Sequence, residues 1–534
     1  MRRPSARFSA ATEALSSAAM ITLESFLRGE WRRGTGRPRP LQDPTRETDI
    51  AACDSTGLDF RGAVNFAREV GGPNLRKVGF AERGKWLKAL SAAIHAQRDP
   101  LIAVSAQNGG STRGDAKFDL DGATGTLAAY AKLAESLGDD NFLPDGDGIQ
   151  LGRTARFWGQ HIRVPRPGVA VHVNAFNFPA WGMCEKLACS LLAGVPAISK
   201  PGTPSALIAF RTAQVIVDSG ILPAGAFQFV CGSLGDTLDH LGPQDTLAFT
   251  GSAKTGALLK GHAGMVGANV RVTLEADSLN AAVLGPDVED DHETWAAFLN
   301  NLVVDMTQKT GQKCTAVRRI LVPHERVDAV VEALTDRLAR IAIGDPADES
   351  IRMGPVASGA QFTDVTAGIR KLKTIARVAC GGPDKLRETG FFLAPTLLVA
   401  NDVEAEVLHT LEVFGPCATI VPYSGSADDA IRLVNRGGGS LVASVYSSDK
   451  SWTEQVVLGL APWHGRLWVC SDKVADQAYA PGMVLPFTIH GGPGRAGGGE
   501  ELGGLRGLEI YMQRTALQGD QGHIGRRFGP ATKS

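Results

Sequence analysis

The sequence predicts an α/β protein: a parallel sheet with helices on both faces, a second α/β unit after it, and a small β extension. Three observations carry this. From Val169 to Ala276, short apolar runs alternate with amphipathic segments of helix length. The alternation resumes from Asn280 to about Val469. Glycine is abundant, 63 of 534 residues, as tight strand–helix turns require. A chain of this length implies two or three domains.

The elements follow in order. Residues 1–19 are rich in Arg, Ser and Ala, and Glu13 interrupts them. Without an apolar h-region they are expected to be a disordered tail before Met20, with a transit signal as the other reading. A helical region is expected from Phe60 to Leu137. Gln150–Val164 has the aromatic and β-branched content of a hairpin strand pair. Buried strands are expected at Val169–Val173, Pro196–Lys200, Ala226–Val230, Thr246–Thr250 and Val270–Glu275. Ala180–Leu192 and Ser205–Ser219 form the helices between them. In the second unit, long helices are expected near His292–Thr310 and Arg326–Ile341. The units join near Glu275–Asn280. Gly507–Leu517 reads as one last strand, and extended segments outside the cores suit assembly.

Composition excludes several function classes. A 43% hydrophobic and 21% charged chain of net charge −1 reads as soluble and globular. That charge recommends neither nucleic acid nor a membrane surface as partner. The longest apolar run, Leu187–Ile198, is too short to span a bilayer. Eight scattered cysteines, with no CxxC pair and no zinc-ligand spacing, suit a reducing, cytoplasmic setting and give no metal site. One GxGxxG match, Gly492, Gly494 and Gly497, lies near the C-terminus with no helix-forming flank. It reads as a glycine-rich loop near an active site or interface, not as a phosphate cradle.

Six short motifs have chemical content, each with an ordinary structural alternative. In TGQKCTA, Cys314 follows Lys313, and a loop thiol beside a cation can be partly thiolate and nucleophilic. The usual fate of a cysteine is a small buried hydrophobe. In LEADSLN, Glu275 ends an apolar strand at the domain join, where desolvation would raise its pKa and suit a general base. A structural ion pair is the alternative. In NAFNFP, the Asn177 amide is placed to donate to an oxyanion, or to serve a turn. In FTGSAKTG, Gly251, Ser252 and Gly256 open a helix whose N-terminus suits a pyrophosphate. In SKPGTPS, Lys200 is a candidate for ribose hydroxyls or a phosphate. In EVFGP, Glu412 is a carboxylate before a tight turn.

Taken in order, NAFNFP, KPG, FTGS, LEAD, GQKC and EVFGP resemble the aldehyde dehydrogenase superfamily over nearly all of the chain after Met20. The resemblance implies the aldehyde dehydrogenase fold: a Rossmann-like cofactor domain (20–149 and 166–274), an α/β catalytic domain (275–488) and oligomerisation strands (150–165 and 505–519). It implies that Cys314 is the nucleophile, that Asn177 and the Cys314 backbone N–H form the oxyanion hole, and that Glu275 activates water. It also implies that Lys200 and Glu412 hold the cofactor riboses, that Gly251, Ser252 and Gly256 contact the pyrophosphate, and that Phe414 flanks the nicotinamide. A homodimer or homotetramer is the family habit.

Finer stretches, HVNAFNFPAWGMCEKL and HGGPGRAGGGEELGGLRG, resemble one branch, which oxidises CoA-linked semialdehydes in phenylacetate or benzoate degradation. That branch includes the dehydrogenase half of the phenylacetate ring-cleavage enzyme and the 3,4-dehydroadipyl-CoA semialdehyde dehydrogenases. The hydratase activity found in the two-domain members would come from a separate protein. Thr203 stands where many NAD-preferring members carry a glutamate, which implies NADP, with NAD also possible. The alternatives are a general dehydrogenase of small aldehydes, a CoA-acylating dehydrogenase, and a non-catalytic relative. Arg495 and His490 are candidates to receive an anionic CoA group, or a buried loop pair.

Overall fold

The computed structural model describes residues 20–530, so the expected tail at 1–19 lies outside the described residues. The first large sheet has seven strands. In spatial order they are Arg271–Glu275, Thr246–Thr250, Ala170–Val173, Ala197–Lys200, Phe227–Phe229, Ser25–Leu27 and Glu30–Arg32. The first five are parallel, and the last two are antiparallel additions from the start of the chain. The chain steps outward from Ala170–Val173 to Phe227–Phe229, then returns to the other side of its first strand. The reversal point lies between Ala170–Val173 and Thr246–Thr250, and ligands of open α/β sheets bind beyond the carboxyl ends of the strands at such a point.

Sequence explains the packing. Helix Trp181–Ala193 is apolar on nearly every side and buried almost throughout, as expected of a helix enclosed by protein. It stops at Gly194, which takes a left-handed φ of 86°. Helix Arg113–Leu137 starts at Thr112, whose side chain accepts from the Asp115 N–H. Gly122 on that helix is necessary, because a Cβ there would meet the Trp181 ring at 2.2 Å.

The second sheet also has seven strands, in the order Ala376–Cys380, Thr396–Ala400, Cys417–Tyr423, Arg319–Pro323, Ala281–Leu284, Ser440–Tyr446 and His464–Cys470. All pairings are parallel except the first. Glu275 ends a strand of the first sheet and Ala281 begins one of the second. The join therefore sets the carboxyl edge of one sheet near the amino edge of the other.

A smaller sheet pairs Phe157–Pro165 antiparallel with Met512–Asp520 through nine residues. Ile149–Gln150 pairs with the same strand, so the expected hairpin forms. The last strand begins later than expected. Gly504–Tyr511 is a 3-10 segment, so only Met512 onward extends. The glycines here favour a tight coil: Gly503 and Gly504 both adopt positive φ. Among the described residues, no helix is long and apolar enough to cross a membrane.

Candidate active site

Cys314 sits on a loop that leaves helix Glu293–Thr307 and enters strand Arg319–Pro323. The loop is strained. Lys309 and Thr310 are non-glycine residues at φ 52° and 55°. Several contacts hold it there. The Lys309 N–H donates to Asp115 and the Thr310 hydroxyl to the Gly354 carbonyl. Buried Arg318 donates to the carbonyls of Gly311, Lys313 and Gly415. The Asn280 amide donates to the carbonyls of Cys314, at 2.7 Å, and Ala316, at 2.9 Å. Gly311 must be glycine, since a Cβ would lie 2.3 Å from the Gly415 oxygen.

Cys314 stands where two cavities meet. The larger, about 780 Å³, runs along the carboxyl edge of the first sheet past Lys200, Gly251, Ser252, Glu412 and Phe414. The smaller, about 40 Å³, is walled by Phe118, Phe178 and Trp181, whose rings pack edge to face at 5.3–5.8 Å. Asn177, Glu275 and Cys314 border both. Asn177 comes from the turn after strand Ala170–Val173, and Glu275 from the end of Arg271–Glu275. The three residues that sequence singled out for chemistry are thus brought together.

Two expectations about them are corrected. Lys313 does not activate Cys314, because its ammonium is buried against Asp305 at 2.9 Å and Gln308 at 3.0 Å. Burial, with Glu275 close by, pushes the Cys314 thiol up, not down. Glu275 also departs from expectation. Burial would raise its pKa, but His490 at 3.0 Å and the nearby Lys186 ammonium outweigh burial and hold the carboxyl well below its ordinary value. Neither Glu275 oxygen has a hydrogen bond of good geometry with a described residue.

Sequence reading missed Glu185, Lys186 and Glu501 around this carboxylate, and considered His490 only for a CoA group or a loop pair. His490 Nε2 lies 3.8 Å from Cys314 Sγ. Lys186 Nζ contacts the Thr250 hydroxyl at 2.7 Å, Glu501 at 2.9 Å and Glu185 at 3.5 Å, all deep in the protein. Burial raises Glu185 to about 7 despite the adjacent ammonium. The available signal was two adjacent charges, Glu185 and Lys186, within an otherwise apolar helix. The glycine-rich stretch supplies His490 and Glu501 from a hairpin, Ile489–Gly491 with Glu500–Leu502. It is a loop beside the site, as expected.

The larger cavity fits a dinucleotide, though not through every residue expected. Glu412 accepts from the Ser278 N–H at 3.0 Å through Oε2, while Oε1 is buried without a hydrogen-bond partner. Burial, opposed by Arg318, raises this carboxyl to about 7. An unsatisfied acceptor on a cavity wall suits a sugar hydroxyl. Phe414 packs against Phe176 at 5.9 Å and beneath the Arg318 guanidinium at 5.4 Å. Lys200 lines the wall, though its ammonium donates to the Pro201 carbonyl at 2.7 Å. Gly202 allows close approach, since a Cβ would strike the Phe176 nitrogen at 2.6 Å.

The cradle at helix Ala253–Lys260 is narrower than expected. Ser252 caps the Thr255 N–H, and Asp277 takes the Ala253 N–H at 2.8 Å. Gly256 is buried within the helix against Phe249 and Leu274, so Gly251, Ser252 and Thr255 face the cavity instead. Thr203 begins a 3-10 turn beside the wall, and is not part of it. Arg495 borders the cavity and donates to the carbonyls of His409 and Thr410, whereas His490 is turned inward to Cys314. The two do not form a pair.

A parallel sheet with a dinucleotide-sized cleft, and a cysteine from a second α/β unit set at its inner end, defines an aldehyde-oxidising enzyme class. The model of the aldehyde dehydrogenase family matches residues 31–516, and the chain belongs to that family. It is an oxidoreductase of aldehydes, in a family that uses NAD or NADP. The chain is 41% identical over 480 residues to the 3,4-dehydroadipyl-CoA semialdehyde dehydrogenase of Aromatoleum evansii, covering 89% of this chain and 93% of that one. In fold it is similar to the NAD⁺ complex of a Staphylococcus aureus betaine aldehyde dehydrogenase variant. The TM-score is 0.82 at 22% identity, over 95% of this chain and 97% of that one. Escherichia coli lactaldehyde dehydrogenase matches with a TM-score of 0.82 at 23% identity, over 94% and 99%.

Proposed function

We propose that this chain oxidises a CoA-linked semialdehyde to the free carboxylic acid in aerobic aromatic degradation of the phenylacetate or benzoate type, with NADP⁺ as oxidant. The observation that carries the chemistry is the position of Cys314, at the meeting of a cofactor-sized cleft and a narrow aromatic cavity, with Asn177 and Glu275 beside it. The substrate class rests on the 41% identity to a CoA-semialdehyde dehydrogenase.

Cys314 Sγ forms a bond to the aldehyde carbon, while the Asn177 amide and the Cys314 N–H donate to the oxygen that gains charge. A nicotinamide cofactor held along Lys200, Glu412 and Phe414 would supply the hydride acceptor for that carbon. A thioester remains on Cys314. Glu275 then takes a proton from water, the water oxygen bonds to the acyl carbon, and the C–S bond breaks to release the acid. Glu275 favours this outcome over transfer of the acyl group to CoA.

In this reading Lys200 and Glu412 hold the two riboses, Gly251 and Ser252, joined by Thr255, meet the pyrophosphate, and Phe414 flanks the nicotinamide. Thr203 puts no carboxylate near the adenosine ribose, which leaves room for a 2′-phosphate. The cofactor unit takes 20–149 and 166–274, and the catalytic unit 275–488. The paired strands Phe157–Pro165 and Met512–Asp520 serve assembly of a homodimer or homotetramer. Eight free thiols suit the cytoplasm. The test is steady-state oxidation of a CoA-linked semialdehyde against small aliphatic aldehydes, with NADP⁺ and with NAD⁺. A higher kcat/KM for the aliphatic aldehydes refutes the substrate class.

A further inference from the structure

A buried thiol needs a reason to ionise, and sequence offered the wrong one in Lys313. The basic side chain that touches the sulfur is His490. Its Nε2 stands 3.8 Å from Cys314 Sγ and 3.0 Å from Glu275 Oε2, so one ring nitrogen serves both groups. The ring is 5% exposed, which keeps water from screening the contact. Its hairpin is bonded to the strand that carries Glu275. The Gly499 N–H donates to the Leu274 carbonyl at 3.0 Å, and the Ala276 N–H to the Ala496 carbonyl at 2.9 Å. Histidine and carboxylate therefore keep a fixed relation to one another.

We propose that His490 is the counter-cation of the Cys314 thiolate: the imidazolium stands against the Glu275 carboxylate at rest, and against the sulfur as well once the thiol proton has left to water in the adjoining cleft. This rests on the reading of Cys314 as nucleophile and adds the group that makes it one. The S–H bond breaks and the proton passes to a water of the cleft that Cys314 borders, while His490 keeps its proton throughout. Before the step the three groups carry 0, +1 and −1 (thiol, imidazolium, carboxylate). After it they carry −1, +1 and −1, and the released proton is in solvent. Without the imidazolium two anions would share the buried site with no cation between them.

The charged surroundings favour a protonated ring. Glu275 faces it from the end of its strand, Glu501 from the paired strand and Glu185 from helix Trp181–Ala193, against Lys186 on that helix and Arg466 from strand His464–Cys470. Burial opposes the charge, but the carboxylates outweigh it and raise His490 above its ordinary value.

The test is the pH profile of Cys314 alkylation by iodoacetamide in the cofactor-free enzyme, with the modified peptide identified by mass spectrometry. Wild type is compared with His490→Gln, His490→Phe and His490→Lys, each checked for a cooperative melt. Loss of the counter-cation in the Gln and Phe variants should move the inflection up by about one pH unit or more and slow alkylation near pH 6.5 by about tenfold or more. His490→Lys, which restores a cation, should recover most of the reactivity, whereas a purely structural role would not be rescued by charge. Gln and Phe profiles that superimpose on wild type overturn the proposal, as does a Lys variant no faster than Gln. Failure of the underlying reading looks different: stoichiometric alkylation of Cys314 that leaves turnover intact.

Discussion

Lys313 is adjacent to Cys314 in the chain and turned away from it in space. Its ammonium is 1% exposed and held by Asp305 Oδ1 at 2.9 Å. Asp305→Asn leaves that cation among neutral groups. Coulomb's law at 2.9 Å and an effective dielectric of about 20 gives about 6 kcal/mol of attraction. Removing one partner of a buried pair costs about 3–5 kcal/mol in practice. Gln308 still accepts from Lys313 at 3.0 Å, so we expect the lower end, about 3 kcal/mol. Differential scanning calorimetry at one fixed scan rate should show the Asp305→Asn variant melting several degrees below wild type. The double variant Asp305→Asn, Lys313→Met removes both charges and should recover most of that loss. Its Cys314 alkylation profile should match wild type. A profile displaced by about a full pH unit in the double variant would mean that Lys313 activates the thiol, and would refute the assignment of Lys313 to structure.

Three further outcomes follow from the same geometry. Gly311→Ala places a Cβ 2.3 Å from the Gly415 oxygen at a φ of 67°, so it should displace the Cys314 loop. We expect kcat to fall tenfold or more with a loss of about 2 kcal/mol or more in a urea melt, and unchanged kcat is the contrary result. His409 and His464 are buried, which lowers them to about 4. Both rings bind protons more readily in the unfolded chain, so stability present above about pH 6.5 is lost as pH falls to about 4, by up to about 3 kcal/mol per ring. Urea melts at a series of pH values check this, and His464→Phe should flatten the slope. Thr203→Glu should lower kcat/KM with NADP⁺ by about tenfold or more while sparing NAD⁺, and equal losses with both would contradict the reading of that position as one that selects the cofactor.

Much of the fold was legible because buried parallel strands are short continuous apolar runs bounded by turn residues, and Val169 to Glu275 is a clear series of them. The last strand was misjudged at its start because Gly507–Tyr511 is apolar enough to read as extended, while its glycine-permitted coil is a backbone preference that no periodicity reports. Cys314, Asn177 and Glu275 were legible through their order along the chain. Their electrostatics were not. Whether Lys313 faces the thiol depends on Asp305, one helix earlier, and whether Glu275 is raised or lowered depends on His490, far along the chain. Long-range side-chain pairing of this kind leaves no local pattern. Gly256 was misassigned because a helix start identifies a cradle without saying which of its residues face inward.

In the proposed reaction an acyl group passes through Cys314 and leaves by water activated at Glu275. The direct measurement is intact-protein and peptide mass spectrometry of the Glu275→Gln variant after rapid mixing with a CoA-linked semialdehyde and NADP⁺. We expect one equivalent of reduced cofactor per site in a burst, slow turnover afterwards, and a single adduct on Cys314 with the mass of the acyl group. Wild-type turnover in Cys314→Ala, or a burst in Glu275→Gln with no adduct on Cys314, would contradict it.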